Sequence, residues 1–355
     1  MKILLLGGTG AMGIHLVRLF KNTDNEVYVT SRRQRVDDDN IHYLKGNAHE
    51  TEFLKHVLNR ERCDTIVDFM IYSTEEFKSR INLLLDSCKQ YVFLSSSRVY
   101  ADTQPKITES SPRLLDVSTD KDYLATDEYA LSKARSENVL FENERKNWTI
   151  IRPYITFSEQ RLQLGVLEKE DWLYRVLHNQ TLVFSKDIAS KVTTLTYGFD
   201  VARGIKAIIG QDEALGEVFH ITTDEYHTWQ EVFELYIKVL TKHLGHKPKI
   251  MIIDQNPRVP IKDSNPQVIY DRYFNRRFDN SKIKKFIDTS DFMPTIKGLE
   301  LCLEEFLKHP KFNMTGWGGQ AMYDRITGEW TPIKEIPTWT KRIKYILRRT
   351  ILPKK

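Results

Sequence analysis

The chain has 355 residues, of which 41% are hydrophobic and 28% charged, a composition typical of a soluble globular protein with one large domain or two smaller ones. The net charge of +5 lies largely in the last fifteen residues, so the body is close to neutral and no nucleic-acid partner is expected. Three cysteines without a CxxC pair indicate a reducing compartment, and no stretch approaches the roughly 20 apolar residues that span a membrane, so we expect a cytoplasmic protein.

The first thirteen residues, MKILLLGGTGAMG, join an apolar run too short for a signal peptide to a glycine cluster. Apolar residues at helical spacing follow, which predicts a strand, a tight turn and a helix. Glycines at these positions permit the turn, let a pyrophosphate approach the backbone and let the helix pack on the sheet, while the helix start offers N–H groups to phosphates. The residues predicted to bind a dinucleotide here are Gly7, Thr9, Gly10, Ala11, Met12 and Gly13.

The second predicted strand, residues 26–30, ends in Ser31, Arg32 and Arg33. In dinucleotide-binding folds an acid at this position binds the ribose 2′-hydroxyl, whereas an arginine accepts a 2′-phosphate. The nearest acids, residues 37–39, fall in a predicted loop. The pattern therefore favours NADP(H) as the cofactor and leaves NAD(H) as the alternative, because the two arginines are also ordinary surface residues.

Strands and helices alternate as far as residue 152. Further strands are predicted at 41–44, 65–70, 91–94 and 148–152, and helices at 50–60, 75–88 and 125–143. This alternation predicts an α/β fold with a Rossmann-type doubly wound parallel sheet, in which ligands bind at the carboxyl ends of the strands. The polar segment 101–123 is predicted to be a loop.

A serine run and a tyrosine–lysine pair are the candidate catalytic groups. Ser96 lies in the run that follows the fifth strand, where it can hydrogen-bond a substrate oxygen. Tyr129 and Lys133 are four residues apart on a predicted helix and share one face. A tyrosine with its ordinary pKa of about 10 is a poor proton donor at neutral pH, and a nearby lysine cation lowers that pKa. The spacing alone is common, but the order of glycine turn, serine-rich strand end and Tyr-x-x-x-Lys predicts catalysis.

This order of motifs resembles the extended short-chain dehydrogenase/reductase superfamily, in its branch of nucleotide-sugar epimerases, dehydratases and reductases. The matching segments are GGTGAMG at 7–13, SSSRVY at 95–100, YALSK at 129–133, IRP at 151–153 and FDVARG at 199–204. The resemblance covers about the first 220 residues. It implies that Ser96 and Tyr129 are catalytic, that Lys133 also holds the nicotinamide ribose, and that the protein forms a homodimer through the helices carrying Tyr-x-x-x-Lys.

Other positions follow the pattern less closely. The resemblance implies cofactor contacts for Pro153 and for Asn47, although an aspartate is more usual at the latter position. Ala101 replaces a glycine, and Arg152-Pro-Tyr-Ile lacks the asparagine of an Arg-x-x-Asn motif that positions nucleotide-sugars. Asp200 matches a residue that ties the sheet to the substrate region.

The substrate-binding residues are harder to predict. Arg161 and Arg272 are candidates to grip a diphosphate, as are Arg276 and Arg277, but each is also an ordinary surface arginine. His220, His227 and His246 lack ligand spacing, so no metal site is predicted.

The second half of the chain loses the regular alternation. We expect residues 1–157 and about 192–222 to form the Rossmann domain, 158–191 and 223–310 a substrate-binding region, and 311–355 an aromatic and basic tail. A strand is predicted at 217–221, and helices at 200–209, 228–243, 281–287 and 297–308. Within the tail, residues 338–352 form a basic amphipathic helix that either lies on an anionic membrane surface or docks on the body or a partner subunit.

The leading functional hypothesis is an NADP(H)-dependent reductase of a 4-keto nucleotide-sugar, in which Tyr129 donates the proton and Ser96 binds the oxygen. An alternative is a nucleotide-sugar epimerase with tightly bound NAD. A dehydratase is disfavoured, because Ser97 and Arg98 replace the acid pair that the resemblance leads one to expect. An alternative of another class is a non-catalytic nucleotide- or RNA-binding protein on the same fold.

Overall fold

A computed structural model of the chain describes residues 1–103, 106–257, 266–312 and 315–350. The chain divides into two compact units. The first unit contains Met1–Ser158, Thr194–Tyr226 and Asn275–Thr295, and the second contains Glu159–Thr193, His227–Phe274 and Ile296–Lys355. The segment Asn275–Thr295 thus packs with the first unit, whereas the sequence analysis assigned it to the substrate-binding region.

The strands have the following bounds. In chain order they are β1 (Lys2–Leu6), β2 (Glu26–Ser31), β3 (Ile41–Lys45), β4 (Thr65–Asp68), β5 (Gln90–Leu94), β6 (Trp148–Arg152), β7 (Ile155–Phe157), β8 (Leu182–Ser185), β9 (Val192–Thr193), β10 (Leu195–Tyr197), β11 (Glu217–His220), β12 (His227–Thr228) and β13 (Ile250–Ile253). Seven of them, all parallel, form one sheet in the order β11-β6-β5-β4-β1-β2-β3. This order confirms the predicted Rossmann-type α/β fold of the first unit.

The helices are bounded as follows. In chain order they are α1 (Gly13–Phe20), α2 (Thr51–Glu61), α3 (Thr74–Asp86), α4 (Leu114–Val117), α5 (Lys121–Leu124), α6 (Tyr129–Glu142), α7 (Lys169–Leu177), α8 (Lys186–Ala189), α9 (Gly198–Ile208), α10 (Trp229–Leu244), α11 (Thr295–Lys308), α12 (Trp317–Thr327) and α13 (Trp339–Thr350). None of the helices in the described ranges is long and apolar enough to cross a membrane.

Both faces of the central sheet are buried, because successive side chains of each strand point to opposite sides. Ile3 and Leu5 of β1 belong to a core shared with α1 and α9. Leu4 and Leu6 belong to the opposite core, which is shared with α2, α3 and α6. The strand ends between these two helical layers are therefore where the first unit can present polar groups to a ligand.

Four predicted elements differ clearly from the structure. The segment 101–123, predicted to be a loop, contains the short helix α4 and the start of α5. The other three differences have a local reason. Strand β4 ends at Asp68 rather than at residue 70, because the Asp68 carboxylate accepts a hydrogen bond from Met70 N–H and turns the chain. Helix α6 begins at Tyr129 rather than near 125, because Glu128 caps it. The helix predicted at 281–287 is only a 3₁₀ turn over Ile283–Lys285.

The second unit contains two small strand pairs and six of the helices named above. Strand β8 pairs with β13 in parallel, and β9 pairs with β12 antiparallel. Its core includes Trp172 of α7 and Tyr236 of α10, whose rings stack 4.7 Å apart. The chain's last helix, α13, packs on α12 through the buried Tyr345.

Candidate active site

Ser96 lies directly after β5, at the start of a 3₁₀ turn over Ser97–Val99. Its Oγ is buried and accepts the N–H of Arg98 at 3.2 Å. The hydroxyls of the two flanking serines are used elsewhere, since Ser95 donates to Glu137 and Ser97 donates to the carbonyl of Arg152. The Ser96 O–H donates to no group in the part of the chain that the structure describes, so it can donate to a substrate oxygen.

Tyr129 is the first residue of α6, and its position depends on the cap of that helix. Glu128 caps α6 by accepting the N–H of Ala130 at 2.8 Å. The same carboxylate is held by the guanidinium of Arg98 at 2.6 Å and by the hydroxyl of Tyr123 at 3.2 Å. The guanidinium of Arg98 also lies 5.3 Å from the centre of the Tyr129 ring. Arg98 therefore joins Ser96, through its backbone, to Tyr129, through its side chain.

The side chain of Arg98 also contains a buried donor that was not predicted from the sequence. Its Nε is buried and has no hydrogen-bond partner among the described residues. Buried donors without partners are uncommon in folded proteins and call for an explanation. The sequence showed only that Arg98 and Ser97 take the place of an acid pair.

Lys133 lies one helical turn after Tyr129 and is buried. Its Nζ donates to the carbonyl of Leu94 at 2.6 Å and to that of Met70 at 3.4 Å, so it reaches the carboxyl end of β5, two residues before Ser96. Burial lowers the pKa of Lys133 to about 8, although the carboxylates of Asp68 and Glu137 act in the opposite direction. Its charge is therefore held at a considerable desolvation cost.

Asp68, at the end of β4, is a buried carboxylate whose charge acts on Lys133. No role was predicted for it from the sequence. It accepts hydrogen bonds from the hydroxyls of Tyr72 at 3.1 Å and Tyr91 at 2.8 Å and from the N–H of Met70 at 2.9 Å. Burial raises the pKa of Asp68 above its ordinary value. The available signal was that Asp68 is the one acid in an otherwise apolar run.

Glu137 fixes α6 against the sheet. It follows Lys133 by one turn and binds the guanidinium of Arg152 through two hydrogen bonds of 2.8 and 2.7 Å. It also accepts from Ser95 at 2.6 Å and from Arg113 at 3.1 Å. Because the guanidinium of Arg152 is paired with Glu137 in the protein interior, its side chain holds β6 against α6.

A neutral histidine completes this buried cluster. His220, in β11, contacts the hydroxyl of Tyr100 through Nε2, and that hydroxyl accepts from Arg152 at 2.6 Å. Burial, together with the nearby Arg152 charge, lowers the pKa of His220 to about 3. His220 is thus a buried core residue whose two ring nitrogens contact the Tyr100 hydroxyl and the carbonyl of Asp279.

The glycine turn has the geometry that its residues predict. Gly7 has a φ of +69°, in the left-handed region that favours glycine. A Cβ added at Gly13 would lie 2.6 Å from the Cα of Gly8, so the helix start packs directly on the turn. A Cβ at Gly10 would meet only the carbonyl of Gly7 at 3.5 Å, so open space lies in front of Gly10.

The start of α1 also offers hydrogen-bond donors. The N–H groups of Ala11 and Met12 donate to no atom within the described ranges, and the positive end of the helix dipole lies beside them. Thr9, in the same turn, is half-buried. These groups and the open space at Gly10 fit a pyrophosphate.

The end of β2 presents two exposed arginines. Ser31 is buried, and its hydroxyl bonds the backbone of Arg33 at 2.8 and 3.2 Å. Neither Arg32 nor Arg33 forms an ion pair with any residue that the structure describes. Two of the three acids of the following loop are engaged elsewhere, since Asp38 pairs with Lys21 and the residue before it pairs with a histidine of β3.

Asn47 and Pro153 lie at two other strand ends. The Asn47 side chain accepts the N–H of His49 at 3.2 Å and donates to Glu50 at 3.4 Å, in the turn that precedes α2. Pro153 follows β6, and its carbonyl accepts the N–H of Ser97 at 2.9 Å. Pro153 thus lies beside the serine run.

The structure corrects the prediction that Arg272 binds substrate. Arg272 is fully buried within the second unit, where Nε donates to the carbonyl of Gly165 at 2.9 Å and Nη1 pairs with Asp271. A guanidinium enclosed in this way has no surface to offer a diphosphate. Arg161, in the same unit, is partly exposed and pairs with Glu168 at 3.2 Å.

The neighbouring arginines differ in burial. Arg276 is buried in the first unit and donates to the carbonyls of Tyr100 and Ala101, each at 3.0 Å. Arg277 is partly exposed and lies 4.4 Å from the centre of the Tyr226 ring. Asp200 accepts the N–H of Met293 at 2.8 Å and so ties α9 to the segment Asn275–Thr295.

Comparison with known proteins identifies the family. The model of the NAD dependent epimerase/dehydratase family matches residues 3–222, and the chain belongs to that family. The resemblance to the extended short-chain dehydrogenase/reductase superfamily is thereby confirmed.

Solved structures share the fold. A dTDP-glucose 4,6-dehydratase from Bacillus anthracis, in complex with NAD, superposes with a TM-score of 0.64 at 18% identity, over 87% of this chain and 97% of that chain. A UDP-glucuronic acid 4-epimerase from Bacillus cereus, in complex with UDP-glucuronic acid and NAD, has a TM-score of 0.64 at 17% identity, over 88% of this chain and 100% of that chain.

One curated relative is named for binding a stem-loop rather than for an enzymatic activity. The chloroplast stem-loop binding protein of 41 kDa b from Arabidopsis thaliana is 24% identical over 275 residues, which are 72% of this chain. The match spans 66% of that protein, just under two-thirds of its length.

Proposed function

We propose that the chain is an NAD(P)-dependent oxidoreductase of nucleotide-sugars, with Ser96, Tyr129 and Lys133 as its catalytic residues. The observation that carries this proposal is the link made by Arg98, which bonds Ser96 and lies over the Tyr129 ring, together with the contact of Lys133 with the end of β5. These contacts support a site in which a hydroxyl donor, a phenol and a lysine act together at the carboxyl edge of the sheet, where ligands bind in such folds.

The turn at residues 7–13 fits a dinucleotide. Open space at Gly10 and the N–H groups of Ala11 and Met12 would receive the pyrophosphate, and Lys133 would hold the nicotinamide ribose. A bound nicotinamide cofactor would supply or accept the hydride. The side chains of the protein would then carry out every proton transfer.

Each catalytic side chain has a separate role in our proposal. Tyr129 donates a proton to the sugar oxygen as that oxygen gains negative charge, and Ser96 donates a hydrogen bond to the same oxygen. Lys133 stabilises the phenolate form of Tyr129 by its charge. The Nε of Arg98, which lacks a partner in the described chain, supplies one more donor for a substrate oxygen.

At finer detail we propose a reductase of a 4-keto nucleotide-sugar that uses NADPH. The exposed Arg32 and Arg33 at the end of β2, without ion pairs to other described residues, support a 2′-phosphate site. A net reductase consumes its reduced cofactor, which suits NADPH. Arg161 remains our candidate for the diphosphate of the substrate, and a homodimer remains our expectation from the resemblance.

An epimerase with tightly bound NAD is the second candidate, and the similarity to a UDP-glucuronic acid 4-epimerase that binds NAD favours it. The two candidates differ in how they hold the cofactor. An epimerase returns the hydride that it removes, so its NAD is not consumed and copurifies with the protein. A reductase exchanges its cofactor in every turnover.

Cofactor analysis of the purified protein separates the candidates. Nucleotide released by denaturation is identified first, and the protein is then titrated separately with NADPH and NADH. We expect exchangeable binding with preference for NADPH, and we expect that preference to disappear when Arg32 and Arg33 are both changed to Ser. Arg35→Ser, at an exposed arginine of the same loop, is the matched control. Copurified NAD that resists dialysis would replace the reductase with the epimerase.

The Arabidopsis relative raises a non-catalytic alternative, because its name describes stem-loop binding. Gel-shift titration with a structured RNA tests this alternative directly. We expect no shift at physiological salt, and we expect Tyr129→Phe to lower turnover of the accepted nucleotide-sugar by about 10²–10⁴-fold while leaving cofactor affinity unchanged. RNA binding in a protein whose Tyr129→Phe variant behaves like the wild type would contradict the enzyme proposal.

A further inference from the structure

The last helix of the second unit, α13, is attached by one face. Tyr345 is fully buried, and its hydroxyl donates to Asp324 at 2.6 Å and accepts the N–H of Thr331 at 2.9 Å. Asp324 also pairs with the buried Arg175 at 2.7 Å. These contacts hold α13 in a defined orientation, so the chemistry of its other faces is a property of the folded unit.

A second face of α13 is apolar and exposed. Trp339, Ile343, Ile346 and Leu347 follow one another at helical spacing and form one stripe. Their exposed fractions are 71%, 52%, 38% and 46%, in that order. Burial of such a contiguous set of large apolar side chains is favourable, and an exposed stripe of this kind marks an interaction surface.

The remaining surface of α13 is basic. The helix has no acidic residue, and its cations are Lys341, Arg342, Lys344, Arg348 and Arg349. None of them forms an ion pair with a carboxylate in residues 1–103, 106–257, 266–312 or 315–350. Arg342 and Arg349 instead donate to the carbonyls of Ile336 and Glu329, at 2.8 and 3.1 Å, which holds both guanidinium groups at the flank of the helix.

We propose that α13 binds the surface of an anionic phospholipid bilayer. An apolar stripe bordered by uncompensated cations suits an interfacial helix, whose apolar side enters the headgroup boundary while the cations contact lipid phosphates. Trp339, at the start of the stripe, belongs to the residue type enriched at that boundary. A second copy of this chain is a poor occupant, because pairing two α13 helices would bring like charges together.

The test compares point variants of the full chain, since truncation before α13 would remove Tyr345 and leave Asp324 and Thr331 without that partner. The variant Lys344→Glu with Leu347→Ser changes the basic and apolar faces and leaves Tyr345 in place. The matched control is Lys297→Glu with Leu301→Ser on α11, where Leu301 is 47% exposed. Each protein is sedimented with vesicles of phosphatidylcholine alone and of phosphatidylcholine mixed with phosphatidylglycerol.

We expect the wild type and the α11 control to pellet with the anionic vesicles and not with the zwitterionic ones, and high salt to weaken this binding. The α13 variant should bind at least about tenfold more weakly, because one cation becomes an anion and one apolar anchor is lost. Equal pelleting of the two variants, or no preference of the wild type for anionic vesicles, would overturn the proposal.

Two further measurements complete the test. Anionic vesicles should shift the tryptophan emission of the wild type to the blue, and Trp339→Phe should reduce that shift. Sedimentation velocity without lipid tests the alternative occupant. A dimer that dissociates in the α13 variant, combined with absence of vesicle binding, would show that the stripe joins two copies and that the membrane proposal is wrong.

Discussion

The guanidinium of Arg98 lies 5.3 Å from the centre of the Tyr129 ring while it pairs with Glu128, the cap of the helix that Tyr129 begins. One side chain thus fixes the position of the candidate acid and adds a positive charge beside it, a second cation besides Lys133. A cation in this place favours the phenolate over the phenol.

Arg98→Gln should slow turnover by about ten- to a hundredfold, because the cap of α6 loosens and the charge beside Tyr129 is lost. Arg98→Lys should restore part of the rate, since it keeps the charge, and the pH dependence of kcat should shift toward that of the wild type. Arg135→Gln is the control, since Arg135 ties the same helix to Asp127 and to the carbonyls of Leu124 and Thr126. Equal kcat values and pH profiles for the Gln variants would contradict a role for Arg98 at the site.

Lys133 should impose a pH dependence on stability. The pKa of Lys133 is about 8 in the folded protein, against 10.5 for an unperturbed lysine, so between these values the unfolded chain binds more protons than the folded one. The free energy of unfolding should therefore rise with pH in this window as the cost of burying the charge is relieved. Compared with Lys133→Met, the wild type should gain stability from pH 8 to pH 10.5.

Denaturant unfolding at several pH values measures this difference. Lys146→Met, at an exposed lysine, controls for the loss of one lysine elsewhere. Above pH 8 the unfolding free energy of the wild type should rise relative to that of Lys133→Met, and parallel curves would show that Lys133 is not buried as a charge. Lys133→Met should also lose turnover. Measuring both quantities distinguishes the effect of Lys133 on folding stability from its role in the reaction.

His220 should make the first unit sensitive to acid. The pKa of His220 is about 3 in the folded protein, against 6.5 for an unperturbed histidine, so between these values the unfolded chain binds a proton that the folded chain does not bind. Stability should fall as the pH drops through 6.5 toward 3. His220→Gln removes the titrating group and should flatten this decline.

Urea unfolding between pH 7 and pH 4 gives the slopes to be compared. His56→Gln, at an exposed histidine of α2, accounts for the loss of a histidine as such. If His220→Gln loses stability with acid as steeply as the wild type, the buried neutral histidine is not what limits acid stability.

Variants at two glycines of the turn should distinguish effects on folding stability from effects on dinucleotide binding. Gly13→Ala would bring a Cβ to within 2.6 Å of the Gly8 backbone and should destabilise the fold by about 1–3 kcal/mol. Gly10→Ala meets only one carbonyl at 3.5 Å, so the melting temperature should stay close to that of the wild type. The same methyl group would occupy the space in front of the turn, and dinucleotide affinity should fall.

Thermal melts and cofactor titrations of both glycine variants check this pair of expectations. Unchanged cofactor affinity in Gly10→Ala would show that the pyrophosphate does not approach the backbone there. An unchanged melting temperature in Gly13→Ala would show that the helix start can move away from the turn.

Local patterns were sufficient to predict the sheet. The apolar run, the glycines and the alternation of strands and helices are determined by neighbouring residues, and β1, α1 and the five strands that follow lie where these signals place them, within a few residues. The location of Tyr129 and Lys133 on one helix was predicted in the same way, because their spacing fixes a common helical face.

Long-range partners were not predictable from one sequence. The pair Arg98 and Glu128 spans thirty residues and is formed only when α6 reaches the end of β5. Arg272 illustrates the same limit, because a buried arginine and an exposed one look alike in a sequence, and only packing shows that Gly165 and Asp271 enclose it. The packing of the segment Asn275–Thr295 with the first unit depends on contacts such as that of Met293 with Asp200, which join residues far apart in the chain.

The first unit is assembled from three separated stretches of chain, and this has a consequence for its synthesis on the ribosome. When residue 158 has been made, β6 is still an open sheet edge, since β11 comes about sixty residues later. The anchor of Asp200 on Met293 forms later still. The nascent protein therefore exposes a hydrogen-bonding edge while most of the intervening chain is translated, and slow elongation there would prolong the period in which it is open to aggregation.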